Sequence, residues 1–462
     1  MTKLNRIFAA ILAVVMVFGL AVTGVAPTAS ADEEPRTITI GVWWDIYYDS
    51  NSENEESDPA YSGSVSDIMR FENVAEVEEK YNVRFEYVNM TYEGVKESIN
   101  TSILAGTPDC DVYLCELQFG VPAAINGLAT DLKTVLPEDA DVLSDQNILS
   151  YLDLGDGRAC LMKQVMAQNA VEATWPLAFN MSLLEDNNLE DPRELYARGE
   201  WTWDKFVEYL QVLTQDTDGD GVIDQYGLDG FSKDVVGQLM MSNGATIASG
   251  TTETLSSAAT GEALQFFSDL YNVYNVCAPY TFENPWDVQR FTYRNGNIGF
   301  WPGAAWVAST NADYDWDGSV GSTLEFETAY VQWPVGPSGN AETNKGKLTA
   351  GSFWFIPNGV EDPEFVYNVF EEITNWYNDD FAIRDDEETM WWWYAVTAGD
   401  EEIQRQNFDV MFDIGSREQF DLWDSLNVEM NLDGLIKGEV TAAQVQETSR
   451  QEYQAALDAY FG

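Results

Sequence analysis

Residues 83–115 read VRFEYVNMTYEGVKESINTSILAGTPDCDVYLC. VRFEYVNM (83–90) has the composition of a strand. Thr91 is placed to cap a helix over 91–104, and Gly106 falls just past its end. Residues 111–117 return as a further strand. Upstream, RTITIGVWW (36–44) reads as a strand, and 64–81 as a helix with Ile68, Phe71, Val74 and Val77 on one face. Strand, helix, strand, helix, strand implies a parallel, doubly wound α/β sheet. Such sheets bind ligands at the carboxyl ends of their strands. Those ends carry Trp43, Trp44, Asp45, Glu116 and Gln118.

The chain has 462 residues, too many for one ordinary core, so two or more lobes are expected. From about 175 to 300 the pattern is more helical. Thr202 caps a helix to about Leu213, with Trp203, Phe206, Val207, Leu210 and Leu213 on its apolar face. Helices over 233–243 and 261–274 follow, then strands at 297–301, 327–334 and 348–356. A helix spans 362–376, and the chain ends in an amphipathic helix from Thr441. The polar stretch Asp49–Ser64 reads as a mobile loop.

Composition excludes several functions. With 23 Lys and Arg against 78 Asp and Glu, the formal net charge is −55, which repels nucleic acid and anionic lipid. The absence of histidine removes His-dependent triads, HExxH zinc chemistry and histidine general bases. Lys3 and Arg6, the apolar run 7–26 and Ala29-Ser30-Ala31 form a secretory signal peptide over 1–31. No Cys stands near the cleavage site, so a secreted protein without a lipid anchor is expected. Cys110 and Cys115 are too far apart along an extended strand to bond, and their odd spacing points them to opposite faces. Cys160 and Cys277 are either a bridge or buried thiols.

DTDGDGVIDQYG (216–227) has the pattern of a calcium loop. Asp216, Asp218 and Asp220 stand at positions one, three and five, Gly221 at the sharp turn, and the Val222 carbonyl at seven. Asp224 and Gln225 complete the candidate ligand set, and Ile223 is expected to pack inward. Position twelve is Gly227, where an EF-hand needs Glu, so a structural Ca²⁺ is expected and not a switch. The plainer reading is a solvated Asp-Gly turn.

Several stretches together carry a resemblance. SILAGTPDCDVYL (102–114), PLAFNMSLLEDNNLEDP (176–192), GEWTWDKFVEYLQVLTQDTDGDGVIDQYGL (199–228), FTYRNGNIGFWPGAAW (291–306), VQWPVGPSG (331–339) and TAGSFWFIPNGVEDPE (349–364) occur in order. The chain thereby resembles the family 1 extracellular solute-binding proteins of ABC transporters, the sugar-binding type. The resemblance implies a two-lobed, hinge-bending, periplasmic-binding-protein-like (type II) α/β fold. It implies no catalysis, a carbohydrate ligand, ABC permease subunits as partners and a monomeric receptor. It places 32–150 and 305–350 in one lobe and 151–304 and 351–462 in the other. Phe300 departs from the Met that relatives often carry.

Sugars present flat C–H faces to aromatic rings and hydroxyls to carboxylates, so a sugar cleft needs both. The expected ligand contacts are Trp43, Trp44, Asp45, Glu116, Trp175, Trp301, Trp306 and Trp354, at positions that in the family often line the cleft. Alternation sends one of Trp43 and Trp44 inward and leaves open which. Core packing is the plainer reading for any single Trp, and the better one for Trp203 and Trp376. ETMWWWYA (388–395) cannot hide all three Trp on one helical face. Two other functions compete. A glycoside hydrolase using two carboxylates needs no histidine; product release distinguishes it. A calcium-dependent adhesin is distinguished by binding to cell-wall material.

Overall fold

The computed structural model describes residues 34–45, 65–144, 148–165, 175–289, 292–303, 326–348, 352–385, 401–422, 425–426 and 428–461. The signal peptide, the stretch 49–64, Trp306 and the 388–395 run lie outside the described residues. In chain order the elements that matter here begin with β1 (Arg36–Val42), α1 (Val65–Tyr81), β2 (Val83–Asn89), α2 (Tyr92–Thr101), β3 (Val112–Cys115) and α3 (Leu117–Ile125). There follow β4 (Leu149–Tyr151), β5 (Met162–Gln164), β6 (Leu177–Asn180), α4 (Met181–Asp186), α5 (Pro192–Ala197), α6 (Trp203–Leu213), β7 (Tyr226–Leu228) and α7 (Ser232–Ser242). Next are β8 (Ala248–Ser249), β9 (Thr252–Glu253), α8 (Ala258–Asn272), α9 (Pro285–Gln289), β10 (Ile298–Pro302), β11 (Thr328–Val331) and β12 (Gly346–Leu348). The last are β13 (Phe353–Phe355), α10 (Pro363–Thr374), α11 (Phe381–Arg384), α12 (Glu401–Arg417), β14 (Glu418–Phe420), α13 (Leu432–Ile436) and α14 (Ala442–Phe461).

The opening stretch folds as its pattern requires. The Thr91 hydroxyl accepts from the Gly94 amide and caps α2. Gly106 adopts φ +75° after that helix, a conformation natural to glycine. β1 pairs in parallel with β2 from Arg36↔Val83 to Val42↔Asn89, and with β3 at Ile40↔Val112. Val112 and Leu114 face one apolar layer, with α1 and α10 residues; Tyr113 and Cys115 face the other, with α2 and α3 residues. Cys110 joins the same layer as Cys115, against the expectation of opposite faces, because it precedes the strand and does not follow its alternation. All four cysteines are buried and free, which decides against a Cys160–Cys277 bridge.

Two sheets organise the molecule. The first runs β2-β1-β3-β13-β5-β4, and the second β11-β6-β10-β7. β13 enters the first sheet antiparallel to β3, with Phe353 opposite Cys115. β11 enters the second antiparallel to β6, with Val331 opposite Leu177. This corrects the expected lobe division. Within 305–350, the described strand β11 is hydrogen-bonded into the second sheet and not the first. The segment from 351 does not open in the second lobe: β13 completes the first sheet, and α10 packs on α1. β5 likewise extends the first sheet beyond residue 150. The chain therefore changes sheet between β5 and β6 and again between β11 and β13, and after β13 the helix α12 packs on β11 of the second sheet.

The second sheet is held by close approach to α6. A Cβ on Gly227 would stand 2.5 Å from the Leu210 carbonyl oxygen, so only glycine allows β7 to lie this near the helix. Phe300, the departure noted above, is fully buried against Phe179, Trp201, Phe206 and Tyr209. An aromatic cluster fills the space at that position. Trp203 and Trp376 are buried, as expected of core residues.

Candidate functional site

Because β1, β2 and β3 are parallel, the residues that follow them emerge at one edge. Trp43, Trp44 and Asp45 follow β1, Tyr92 opens α2 beyond β2, and Glu116 follows β3. Trp43 meets Trp44 edge-on at 5.0 Å between ring centroids, Tyr92 at 5.7 Å and Phe119 at 5.9 Å. Tyr92 and Phe119 close the group at 5.7 Å. The question left open by alternation is decided here. Trp43 packs on the core and is half-buried, whereas Trp44 is 39% exposed.

Two carboxylates are fixed within this aromatic group. The Tyr92 hydroxyl donates to Glu116 Oε2 at 2.7 Å, and Gln118 Nε2 donates to the same oxygen at 2.5 Å. The Gln118 amide also reaches the Tyr92 hydroxyl. Asn89 Nδ2 donates to Asp45 Oδ1 at 2.8 Å. The structure brings the expected Trp43, Trp44, Asp45 and Glu116 to one edge, together with Asn89, Tyr92 and Phe119, which the sequence reading did not single out. The signal for these was available. Each lies within four residues of a parallel strand's carboxyl end.

A second aromatic group sits at one end of the second sheet. There β7, β10 and β11 end and β6 begins, so Trp175, Phe231 and Trp333 are neighbours. Trp175 is buried and meets Trp286 of α9 edge-on at 5.4 Å; Phe231 meets Trp286 at 5.5 Å. Trp333 Nε1 donates to the Trp175 carbonyl at 2.9 Å. Gly230 makes this corner possible: at φ +144° a Cβ there would stand 2.3 Å from Pro302 Cγ. Phe231 and Trp286 were not singled out from the sequence, because they stand in loop and one short helix without a periodic pattern.

Of the expected ligand contacts, Trp301 and Trp175 lie in one buried cluster, and Trp354 is half-buried. Trp301 is 1% exposed, stacks on Tyr293 at 5.6 Å and donates from Nε1 to the Gln289 carbonyl at 3.0 Å. It sits inside β10, not on the turn after it. Trp354 lies on the Leu114 side of the first sheet and packs on Phe370 of α10 at 5.4 Å. Its ring faces the helical layer, because the strand is only three residues long and its two Phe neighbours take the opposite face.

Asp229 ties the second group together. It is 1% exposed; its Oδ1 accepts from the Gly230 amide at 2.7 Å and from Gln289 Nε2 at 2.6 Å. Burial pushes its carboxyl up to about 6. With the folded value above the unfolded one near ~4, its contribution to stability is full below about 4 and is lost as pH rises through about 6. Asp229→Asn keeps an oxygen for both donors and removes the charge. The stability of the variant relative to the native chain is expected to rise between pH 4 and 7, by up to ~3 kcal/mol. Denaturant unfolding at several pH values checks this. A difference that stays flat across the range contradicts it. Asp421 and Glu371 are also held high by burial, to about 6 and about 7, and the subtraction removes them.

The acidic loop follows α6. Asp216, Asp218 and Asp224 each place one carboxylate oxygen within 4.8 Å of the others'. Asp216 accepts from the Gly219 amide at 2.7 Å and the Gly221 amide at 2.8 Å. The Thr217 hydroxyl and amide donate to Asp224 and hold its carboxyl below the usual range. Asp220 falls outside the three-carboxylate group; its Oδ1 accepts from the Val222 amide at 2.8 Å. Gln225 departs from its expected role. Its side chain is buried and donates to the Leu213 carbonyl at 2.8 Å, so it anchors the base of the loop. Ile223 is 39% exposed and does not pack inward, because the bridge between Gln215 and Gln225 closes the loop beneath it.

The sequence matches the family model for bacterial extracellular solute-binding protein over residues 71–380. Comparison with the curated proteins finds no match. Among solved structures, the chain is similar to the maltose/maltodextrin-binding domain of Bdellovibrio bacteriovorus bound to maltotriose. The TM-score is 0.57 at 16% identity, covering 92% of this chain and 99% of that one. It is similar to the GacH receptor of Streptomyces glaucescens, solved unliganded and with acarbose, at TM-score 0.60, 14% identity and coverage of 92% and 99%. A substrate-binding protein of Listeria monocytogenes in complex with cycloalternan gives 0.57, 14%, and 92% and 99%. These likenesses place the fold among two-lobed binding proteins. Among the described residues, no helix is long and apolar enough to cross a membrane.

Proposed function

The chain belongs to the bacterial extracellular solute-binding proteins, and on that premise we propose that it captures a neutral carbohydrate, an oligosaccharide, for an ABC importer. The observation that carries this reading is the group at the first sheet's edge. An exposed Trp44 ring shares this edge with carboxylates at Asp45 and Glu116 that are already held in place by Asn89, Tyr92 and Gln118. Rings stack on C–H faces and oriented carboxylates accept hydroxyl protons, so this group recognises a sugar without breaking a bond. The three solved structures named above hold maltotriose, acarbose and cycloalternan, which supports the ligand class.

The mechanism is lobe closure. Trp44 on one sheet's edge and the Trp286 group on the other contact the ligand only when the lobes approach, so the ligand favours the closed state. The closed, monomeric receptor then presents the sugar to the permease subunits. The signal peptide over 1–31 delivers it outside the cell. Calorimetric titration against neutral oligosaccharides, with chromatography of the same samples, tests the reading. Saturable binding with intact sugar is expected. Release of shorter products would overturn it in favour of a hydrolase.

The acidic loop takes a structural Ca²⁺ in this reading. Asp216, Asp218 and Asp224 fit, since their oxygens converge and calcium prefers hard oxygen donors. Asp220 and the Val222 carbonyl stand at the remaining positions of the spacing. When bound, the ion neutralises carboxylates that otherwise repel one another. Adding a chelator is expected to lower the unfolding midpoint by an amount equivalent to ~2–3 kcal/mol when calcium is in hundredfold excess over its Kd. Asp216→Ala is expected to abolish that response. An unfolding midpoint indifferent to both calcium and chelator would remove the ion from the account.

A further inference from the structure

The first sheet brings one lysine to the edge described above. β5 runs antiparallel to β13, and β13 antiparallel to β3, so β5 is parallel to β3 and ends where Trp43, Trp44 and Glu116 emerge. Met162 is level with Trp354 and Leu114. Lys163, the next residue, is therefore level with Phe353 and Cys115 and one step short of Glu116. Strand alternation turns it away from Met162, onto the face that holds Leu161, Phe353 and Cys115. Two strand spacings, about 10 Å, separate it from β3.

Lys163 is half-buried, and among the described residues it has no hydrogen bond, ion pair or ring contact. Burial alone pushes its ammonium down from the usual lysine range. Every other lysine among the described residues is engaged. Lys80 pairs with Glu372, Lys96 with Glu93 and Lys205 with Glu208. Lys133 reaches the Gly157 carbonyl, Lys345 reaches Gln419, Lys437 lies over Phe282, and Lys233 and Lys347 also have partners. In a chain with 78 acidic residues, a half-buried lysine without a carboxylate is a cost that packing does not explain. Nor is its ammonium sealed in the core, as the unmatched indole nitrogens of Trp203 and Trp376 are.

The chemistry of the edge supplies a reason. Its donors, Asn89 Nδ2, the Tyr92 hydroxyl and Gln118 Nε2, are directed at Asp45 and Glu116. What remains for a ligand is chiefly carboxylate, which takes hydroxyl protons and offers nothing to a ring or glycosidic oxygen. A lysine ammonium has three donors and no acceptor. We propose that Lys163 is a ligand contact, its ammonium donating to an oxygen of the sugar bound along this edge. The site then spans the first sheet from β1 to β5. This inference rests on the oligosaccharide reading and extends it. The oxygen belongs to a neutral sugar, because Asp45 and Glu116 on the same edge and a net charge of −55 oppose an anion.

The test uses the full mature chain. Maltotriose, cellotriose, xylotriose and mannotriose are titrated calorimetrically into the native protein, and the tightest of the four into Lys163→Met and Lys163→Gln. Lys163→Met is expected to weaken binding at least tenfold, and Lys163→Gln less, since its amide keeps a donor. The unfolding midpoint of sugar-free Lys163→Met is expected to hold or rise, because an apolar chain of similar length replaces a half-buried charge. A crystal structure of the native complex is expected to show Lys163 Nζ within hydrogen-bond distance of a sugar oxygen. Unchanged affinity in Lys163→Met would overturn the inference and leave the oligosaccharide reading standing. Weaker binding together with a lower midpoint would overturn it too, by making Lys163 a structural residue. A native protein that binds none of the four sugars would overturn the reading itself, and this inference with it.

Discussion

Trp44→Ala is expected to weaken binding of the cognate oligosaccharide ~10–100-fold while leaving the unfolding midpoint nearly unchanged. The two halves of this expectation have one cause. The Trp44 ring is 39% exposed and meets Trp43 edge-on. Removing it leaves no deep cavity in the free protein. In the proposed complex the sugar covers the ring, and covering an aromatic side chain is worth ~1.5–3 kcal/mol. At 1.4 kcal/mol per factor of ten, this gives the stated range. Trp43→Ala makes the contrast. That ring packs on Tyr92 and Phe119, so its loss is expected to lower stability as well as affinity. Calorimetric titration and differential scanning calorimetry on both variants check the pair. Unaltered affinity in Trp44→Ala contradicts a role for this edge in binding.

Trp301→Ala is expected to be the most destabilising single truncation near the second aromatic group, at ~3–5 kcal/mol. The ring is fully buried and stacked on Tyr293, and its indole N–H occupies the Gln289 carbonyl. Truncation opens a cavity and leaves that carbonyl unmatched. Gln289 also holds the buried Asp229, so the loss reaches the network that seats α9 and its Trp286. Trp301→Phe keeps most of the volume and is expected to cost clearly less. Denaturant unfolding distinguishes the two. A Trp301→Ala variant as stable as the native chain but unable to bind sugar would make Trp301 a ligand contact after all.

The parts legible in the sequence were those with a local cause. The strand-helix alternation through residue 115 is written in periodicity and in the Thr91 cap, and both appear as expected. The parallel sheet follows from that order, and so do the residues at its carboxyl edge, Trp43, Trp44, Asp45 and Glu116. The lobe division was misplaced because β11 and β13 are short strands of similar composition separated by about twenty residues. Nothing local says that one joins the second sheet and the other the first; the ladder partners, 150 to 240 residues away, decide it. Trp301 and Trp354 misled for a related reason. Glycine and proline nearby suggested loops, whereas the strands run through both Trp, and strand alternation then sets their direction. Gln225 stands at a position suited to a metal ligand, yet its amide reaches back to the Leu213 carbonyl, a contact that spacing alone does not reveal.

The central claim is that one ligand is held by both lobes at once. It is tested most directly by titrating a single cognate oligosaccharide into the native protein, Trp44→Ala, Trp286→Ala and the double variant. The two residues belong to the edges of different sheets. The account predicts that each single variant weakens binding at least tenfold and that native stability is retained in Trp44→Ala. A ligand indifferent to Trp286→Ala would be held by the first lobe alone, and capture by closure would be contradicted.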